Sequence, residues 1–208
     1  MIYLLAWAFI FWIVGFFLKR KLPSFIGRSG ENFVSRKLHS LNPSGYSVLD
    51  DLMLPSSGRM NTTQIDHVVV SNFGIFVLET KSYKGWIFGG AKQKYWIQVL
   101  YKYKKSFYNP LYQNFAHIKA VENLVRPLFP NAPIVGLVAF PSAEKLQISG
   151  TNSVGRARDI VAKIESYGTE VISDAEKVRI MEILTAANIQ DKELRKIHNA
   201  NVRALKRS

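Results

Sequence analysis

Two apolar stretches separated by a short break constrain this chain more than any other feature of its sequence. Residues 64–81 read QIDHVVVSNFGIFVLETK, with VVVS before the break and GIFVL after it. Stretches of this length that are rich in β-branched and aromatic side chains are typical of paired β-strands. The sequence therefore predicts an antiparallel β-hairpin whose turn is formed by Asn72 and Phe73.

The position of the turn determines which side chains of the hairpin face each other. With a two-residue turn, Ser71 pairs with Gly74, and side chains alternate between the two faces along each strand. A four-residue loop keeps the same register, whereas a three-residue loop would shift the pairing and scatter the polar side chains. The first register brings four polar side chains to one face, at the end away from the turn, in two opposed pairs: Asp66 with Glu79, and Gln64 with Lys81.

Two directly opposed carboxylates repel each other. Their Cβ atoms would lie about 5 Å apart, so each charge raises the pKa of the other group and destabilises the hairpin. A divalent cation removes this repulsion, and carboxylate oxygens suit Mg²⁺ or Mn²⁺. The alternative is a solvated network in which Asp66, Glu79 and Lys81 form salt bridges only, and the spacing alone leaves both possibilities open.

The first eighteen residues, MIYLLAWAFIFWIVGFFL, contain no charged side chain. As a helix they would span about 27 Å, which is close to the hydrocarbon thickness of a bilayer. A secretory signal would carry basic residues before the apolar run and a cleavage site after it, and neither is present. The basic triplet KRK follows directly, and such residues favour the cytoplasmic side. The sequence thus predicts a single-pass membrane protein with a transmembrane helix at 1–18, a basic juxtamembrane linker at 19–26 and a cytoplasmic domain from residue 27.

Composition narrows the classes of chemistry and of partner. The 208 residues include no cysteine, so disulfides, zinc-thiolate centres and cysteine nucleophiles are excluded. The formal net charge is +13, which predicts a polyanionic partner, either a nucleic acid or an anionic membrane surface. We expect no small-molecule organic cofactor.

Hydrophobic periodicity predicts an α/β fold. A helix is expected from about Ser29, as its N-cap, to Leu41, followed by a strand and then the hairpin. GWIFGG and KYWIQVLYKY predict two further strands, and Pro110 begins a helix that runs to about Arg126. PIVGLVAF predicts a strand buried on both faces, and helices follow at RARDIVAKIESY and, in two pieces, from Asp174 onward. This order corresponds to helices packed around a mixed sheet.

Several of these segments together resemble a known family. The arrangement of Asp66, a spacer, Glu79 and Lys81 is similar to the PD-(D/E)xK core of restriction-endonuclease-like nucleases, and the wider set resembles the nuclease-related domain, NERD. The resemblance implies a restriction-endonuclease-like mixed sheet flanked by helices, with the nuclease-like domain at 27–145 and a mostly helical C-terminal extension at 146–208. The matching segments are GRSGE at 27–31, QIDHVVVS at 64–71, GIFVLETKSYKGWIFG at 74–89 and NPLYQ at 109–113.

The resemblance also implies roles for individual residues. Asp66 and Glu79 would bind Mg²⁺ or Mn²⁺, and Lys81 would assist the attacking water or the phosphate. Glu31 would lie in the first turn of its helix. The helix dipole favours an acid at that position even when the acid has no function. Ile65 stands where the name of the superfamily has proline, a residue without a chemical role here. The remaining candidates for catalysis are Glu31, Gln64 and Gln113.

A stretch rich in lysine and aromatic residues follows the hairpin. Residues 80–121 contain no acid, and alternation along KYWIQVLYKYKK would place Trp96, Gln98, Lys102 and Lys104 on one side. Lysines attract a nucleic-acid backbone and aromatic rings stack on single-stranded bases. The alternative is an edge strand protected by its lysines. The candidates for nucleic-acid contact are Lys84, Lys92, Lys94, Lys102, Lys104 and Lys105.

The sequence therefore predicts a membrane-anchored, metal-dependent nuclease that hydrolyses phosphodiester bonds in DNA, or else in RNA. Two alternatives use the same fold: a module that binds nucleic acid without cutting it, and a membrane-tethered interaction protein whose acids are structural. The intact set of Asp66, Glu79 and Lys81 favours hydrolysis over binding alone. The basic stretch favours either of these over the interaction protein.

Overall fold

The computed structural model describes residues 27–58 and 60–205 of the chain. Its first sheet consists of β1 (Tyr46–Pro55), β2 (Thr62–Ser71), β3 (Gly74–Thr80), β7 (Ile134–Ala139) and β9 (Val154–Gly155). These strands are ordered β1-β2-β3-β7-β9. The first three form an antiparallel meander, and β7 and β9 extend it in parallel.

A second sheet is built from the chain between β3 and β9. It contains β4 (Gly85–Gly90), β5 (Tyr95–Leu100), β6 (Tyr103–Tyr108) and β8 (Ala143–Ser149). The order is β6-β5-β4-β8, with the first three strands antiparallel and β8 parallel to β4. Ile87, Trp96, Phe107 and Phe140 form a separate hydrophobic core on its inner face. The fold is therefore mixed α/β, as predicted, but with two mixed sheets instead of one.

Helices cover both faces of the first sheet. The helices are α1 (residues 27–38), α2 (Pro110–Val125), α3 (Ala157–Glu165), α4 (Asp174–Ala187) and α5 (Lys192–Leu205). Leu38 of α1 and residues of α3 pack with Phe76 on one face. Val121 of α2 and residues of α4 pack with Val77 on the other. A hairpin buried on both faces needs continuous apolar stretches, which explains its composition.

The helices within residues 27–58 and 60–205 include none with both the length and the apolar character of a bilayer span. The transmembrane helix predicted at 1–18 and the linker predicted at 19–26 lie outside these residues. The segment predicted as a C-terminal extension contributes β9 to the first sheet and packs α3 and α4 against it.

The hairpin has the register that its sequence predicts. Ser71 is opposite Gly74, and the antiparallel ladder continues to His67 and Leu78. The turn is the two-residue Asn72-Phe73, although Asn-Phe is a weak turn signal beside Asn-Gly. Tertiary contacts stabilise it, because the backbone N–H groups of Val171 and Ile172 donate to the Asn72 carbonyl at 2.8 and 3.0 Å. The Asn72 amide oxygen also accepts a hydrogen bond from Lys177.

The prediction of one strand over KYWIQVLYKY is wrong. Strand β5 ends at Leu100, and Tyr101 adopts a left-handed conformation with φ 54° that returns the chain along β6. Lys104 is therefore opposite Val99, on the face away from the buried Trp96, and Lys102 lies in the turn. The sequence predicts neither β6 nor β8, because neither strand has a continuous apolar run.

The first helix is also shifted relative to its prediction. Residue 27 is already helical and the helix ends at residue 38, so Ser29 lies inside it and does not cap it. Boundaries of this kind are set by contacts at the helix ends, which the periodicity of the apolar residues does not report.

Candidate active site

The centre of the candidate site is a buried ion pair at the end of β3. Glu79, the second-to-last residue of the strand, is 3% exposed, and one of its carboxylate oxygens accepts a hydrogen bond from the Lys81 ammonium. Lys81 donates a second hydrogen bond to the Gln113 side-chain oxygen at 2.9 Å. Three of the predicted site residues are thus in direct contact, although Gln113 lies on a different element.

The segment NPLYQ places Gln113 by fixing the start of α2. Asn109 is fully buried and its side-chain oxygen caps the helix by accepting from the Leu111 N–H at 2.9 Å. Its amide group donates to the Gln93 carbonyl at 2.7 Å, which ties the helix to the turn between β4 and β5. Pro110 at the first helical position suits a site where no N–H is needed. Gln113 follows in the first turn, directed at Lys81.

His117 completes the environment of Glu79 and was not predicted as a site residue. It lies one helical turn after Gln113, is 3% exposed, and its Nε2 is 3.0 Å from the second carboxylate oxygen of Glu79. Its Nδ1 is 2.7 Å from the Thr63 hydroxyl. A carboxylate only accepts, so Nε2 donates to Glu79. The spacing of Gln113 and His117 on one helix face is the signal in the sequence that indicates this arrangement.

The charges around Glu79 determine its protonation state. Burial alone would raise the pKa of the Glu79 carboxyl, but Lys81 and His117 outweigh burial and lower this pKa to about 2. Burial likewise disfavours the charged form of Lys81, but the Glu79 carboxylate raises the pKa of the ammonium above its ordinary value. The pair is therefore fully charged at neutral pH.

Asp66 lies beside this pair, and its surroundings raise its pKa instead of lowering it. Its carboxylate accepts a hydrogen bond from the backbone N–H of Thr80 at 2.6 Å, so it lies against the strand that carries Glu79. Burial, and next the Glu79 carboxylate, raise the pKa of Asp66 well above its ordinary value. Two neighbouring acids with pKa values moved in opposite directions are characteristic of functional sites.

Glu31 approaches the same place from α1. The helix packs closely on the loop after β3: a Cβ built on Gly30 would lie 1.8 Å from the Ser82 hydroxyl oxygen. The Ser82 hydroxyl donates to the Gly27 carbonyl at 3.2 Å. Burial raises the pKa of Glu31, with Glu79 among the charges that act on it. Gly30 thus permits an approach that brings a third carboxyl group near Asp66 and Glu79.

Gln64 is the predicted site residue that the structure directs elsewhere. Its amide donates to the Asp51 carboxylate at 2.6 Å. Its neighbours in β2 face α2: Thr63 bonds His117, and Ile65 packs in the same core as Val68. Strict alternation would put Ile65 and Val68 on opposite faces, so the strand is irregular between them. The prediction that Gln64 shares a face with Lys81 is therefore wrong.

A second polar cluster lies on the α1 side of the sheet. The His67 Nδ1 is 2.7 Å from the Asp50 carboxylate, which also accepts from Ser35 of α1 at 2.7 Å. The His67 Nε2 is buried and has no hydrogen-bond partner among the described residues. His67 and the Glu79–His117 pair are thus on opposite faces of the sheet, as the alternation of side chains predicts.

The lysines predicted to contact nucleic acid are all exposed, and they follow the second sheet and its loops. Lys84 lies just before β4, Lys92 and Lys94 lie in the turn before β5, and Lys102 lies in the turn after it. Lys104 and Lys105 lie on β6. None of these six forms a salt bridge within residues 27–58 and 60–205.

The donor set fits a hard divalent cation. Asp66 has one carboxylate oxygen, Oδ1, with no hydrogen-bond partner among the described residues, and a carboxylate such as that of Glu79 can accept more than its two present bonds. In the part of the chain that the structure describes, no three His, Asp or Glu side chains converge as a ready metal cage. Mg²⁺ does not require such a cage, because it binds through one or two carboxylates and completes its shell with water and phosphate oxygens.

Fold and site together define an α/β protein with a buried carboxylate–lysine centre at the end of a sheet strand. The chain belongs to the nuclease-related domain (NERD) family, whose model matches residues 26–141. An uncharacterized protein of Bacillus anthracis is 36% identical over 182 residues, which is 87% of this chain and 85% of the relative. The crystal structure of a protein of unknown function covers 88% of this chain, and this chain covers 100% of it, with 13% identity and a TM-score of 0.33.

Proposed function

We propose that this protein is a metal-dependent nuclease of the PD-(D/E)xK type that hydrolyses phosphodiester bonds in nucleic acid, DNA in preference to RNA. The observation that carries the proposal is the contact set of Glu79: a buried carboxylate held by Lys81 and His117, with Asp66 alongside. Membership in the nuclease-related domain family supports it independently. The net charge of +13 suits a polyanionic substrate.

Asp66 and Glu79 would hold the cation, Mg²⁺ or Mn²⁺, with Glu31 near enough to influence both. When bound, such an ion neutralises phosphate charge and lowers the pKa of a coordinated water. Its positive charge would also favour the ionised form of Asp66, whose pKa is otherwise raised by burial and by Glu79. Cation binding and the ionisation of Asp66 are therefore expected to be coupled.

Lys81 is positioned to act on the phosphate. An ammonium group has three N–H donors, and among the described residues two are used, by Glu79 and Gln113. The third is available to a phosphate oxygen. Because Glu79 and Gln113 orient the ammonium group beforehand, it stabilises developing negative charge without reorganisation of the site.

We also propose a membrane anchor at residues 1–18, which would place the catalytic domain at the cytoplasmic surface. The support for this part is the uncharged apolar run followed by the KRK triplet in the sequence.

Metal dependence is the direct test of the hydrolytic function. We expect the full chain, purified in mild detergent, to cleave labelled DNA with Mg²⁺ or Mn²⁺ and to leave it intact with EDTA. A parallel RNA substrate determines the preference between the two nucleic acids. Retention of nucleic acid without cleavage under every metal condition would contradict hydrolysis and identify a binding module.

A second test concerns His117, which acts through Glu79. Replacing His117 with Ala removes the hydrogen bond to Glu79, and we expect cleavage or metal affinity to fall by roughly 10- to 100-fold, as for other residues that orient a metal ligand. His117→Gln keeps an N–H donor near the Nε2 position and should retain most activity. The measurement is the Mg²⁺ concentration that gives half-maximal cleavage. An unchanged value in His117→Ala would exclude this role.

A further inference from the structure

Three tyrosines form an exposed row across the second sheet and the start of α2. Tyr95 of β5 and Tyr108 of β6 are directly opposed, with ring centroids 6.2 Å apart. The Tyr108 and Tyr112 rings follow at 6.0 Å. These side chains are 54%, 48% and 39% exposed in that order. We call Tyr95, Tyr108 and Tyr112 the tyrosine row.

The row lies on the outer face of the second sheet and is held in place from within. The neighbours of Tyr95 and Tyr108 along their strands, Trp96 and Phe107, are buried in the core on the inner face. Alternation then directs the two tyrosines outward. The Tyr112 hydroxyl donates to the Lys92 carbonyl at 3.0 Å, which fixes the third ring. Such ordered, exposed rings have little conformational entropy to lose when a ligand binds.

One end of the row adjoins in the chain a residue that bonds the proposed catalytic lysine. Tyr112 precedes Gln113 in the first turn of α2, and Gln113 bonds Lys81. At the other end, the Lys94 ammonium lies 5.4 Å from the centre of the Tyr95 ring. A strand that passed over the row would therefore meet aromatic rings flanked by lysine, with Tyr112 one residue before Gln113 of the site.

We propose that the tyrosine row binds the bases of single-stranded nucleic acid next to the scissile phosphate, so that the substrate is single-stranded in this segment. The proposal rests on the nuclease function proposed above. Aromatic rings stack on bases of any sequence, but only when those bases are not already stacked within a duplex. The lysines contact the backbone of either form. The rings therefore select for single strands, whereas the lysines supply affinity.

Charge favours a nucleic acid over a second copy of this chain as the occupant of this surface. Residues 80–121 contain no acidic side chain, so a second copy of this chain would present the same positive charge and be repelled. A flexible anionic strand is attracted by that charge.

The test compares binding of single-stranded and duplex forms of one mixed-sequence oligonucleotide by the full chain in detergent with EDTA. We expect Tyr108→Ala to weaken single-strand binding between about five-fold and about 100-fold, the effect of losing one base stack. Duplex binding should change far less. Tyr108→Phe keeps the ring and should restore single-strand binding, and Tyr95→Ala should reproduce the loss if Tyr108→Ala does not fold.

Tyr103→Ala is the matched control, because Tyr103 is 81% exposed on the same strand as Tyr108 and lies about 17 Å along it. Equal weakening by the control, or equal weakening of duplex binding, would overturn the row as a single-strand site. Oligonucleotide binding left unchanged by both Tyr108→Ala and Tyr95→Ala would also overturn it. Adding Mg²⁺ separates the two proposals: single-strand binding that depends on Tyr108 without any cleavage supports the row and contradicts the nuclease.

Discussion

Asp66→Asn is expected to abolish metal-dependent cleavage while leaving the protein at least as stable as the wild type. Activity should fall by at least about 100-fold, the loss that follows removal of one electrostatic group from a catalytic site. The asparagine oxygen still accepts the hydrogen bond from the Thr80 N–H, so the local structure is kept. The variant no longer buries an ionisable acid beside Glu79, so both the burial and the repulsion that raise the pKa of Asp66 are removed.

The stability of this variant depends on pH in a defined direction. The pKa of Asp66 is raised above its ordinary value of 3.8 in the folded chain. The folded state therefore binds more protons than the unfolded state above that pH, and the wild type loses stability as pH rises through the raised pKa. Asp66→Asn lacks this loss, so its advantage should appear at neutral pH and vanish at low pH.

The measurement for Asp66→Asn is urea unfolding without metal between low and neutral pH, combined with the cleavage assay. Asp159→Asn is a control, since that acid is exposed and its carboxylate accepts from the Arg156 backbone N–H at the start of α3. A less stable Asp66→Asn protein at neutral pH would show that Asp66 has a structural role. Cleavage at the wild-type rate would exclude Asp66 as a metal ligand.

Glu79→Gln is expected to lose activity and also to destabilise the fold by about 3–5 kcal/mol, because it leaves the buried Lys81 ammonium without its counter-charge. Glu79 is 3% exposed and Lys81 has a side-chain exposure of 16%, so water replaces the lost interaction poorly. An exposed pair offers the matched control. Glu182→Gln, which breaks the surface contact with Arg179, should change stability by less than about 1 kcal/mol.

A double variant distinguishes the unpaired charge from a simple loss of packing. In Glu79→Gln/Lys81→Met no ion remains in the site, so the double variant should be more stable than Glu79→Gln alone. An equal or lower stability would show that the ion pair is not the cause.

The pH dependence of the Glu79 contribution has the opposite sign to that of Asp66. Glu79 stabilises the fold above its ordinary pKa of 4.5, and this contribution is lost as pH falls toward about 2. Glu79→Gln lacks that acid-dependent loss.

The two acids that the hairpin register brings together have opposite energetic roles in the folded chain. Glu79 has two positive or donating partners and contributes to stability, whereas Asp66 has one backbone donor and bears the repulsion of its neighbours. The protein retains a carboxylate that stability alone does not favour. This is the pattern expected where a group serves function instead of folding.

The sequence by itself determined the hairpin, its register and the placement of Glu79 and Lys81 on one face. These follow from the two-residue periodicity of a strand, which assigns each side chain to a face once the turn is known. The helix at Pro110 was also predictable, because proline and a capping asparagine mark its start locally. In both cases the signal lies within a few residues of the feature that it specifies.

Only the tertiary structure decided which further side chains belong to the site. It joins Thr63 to His117 across 54 positions of the chain, and it directs Gln64 away through an irregularity in β2 that no residue pattern announces. The turn at Asn72 depends on the Val171 and Ile172 backbone, a hundred residues distant. Periodicity encodes the faces of a regular element, but contacts between elements depend on how the whole chain packs, which no local pattern records.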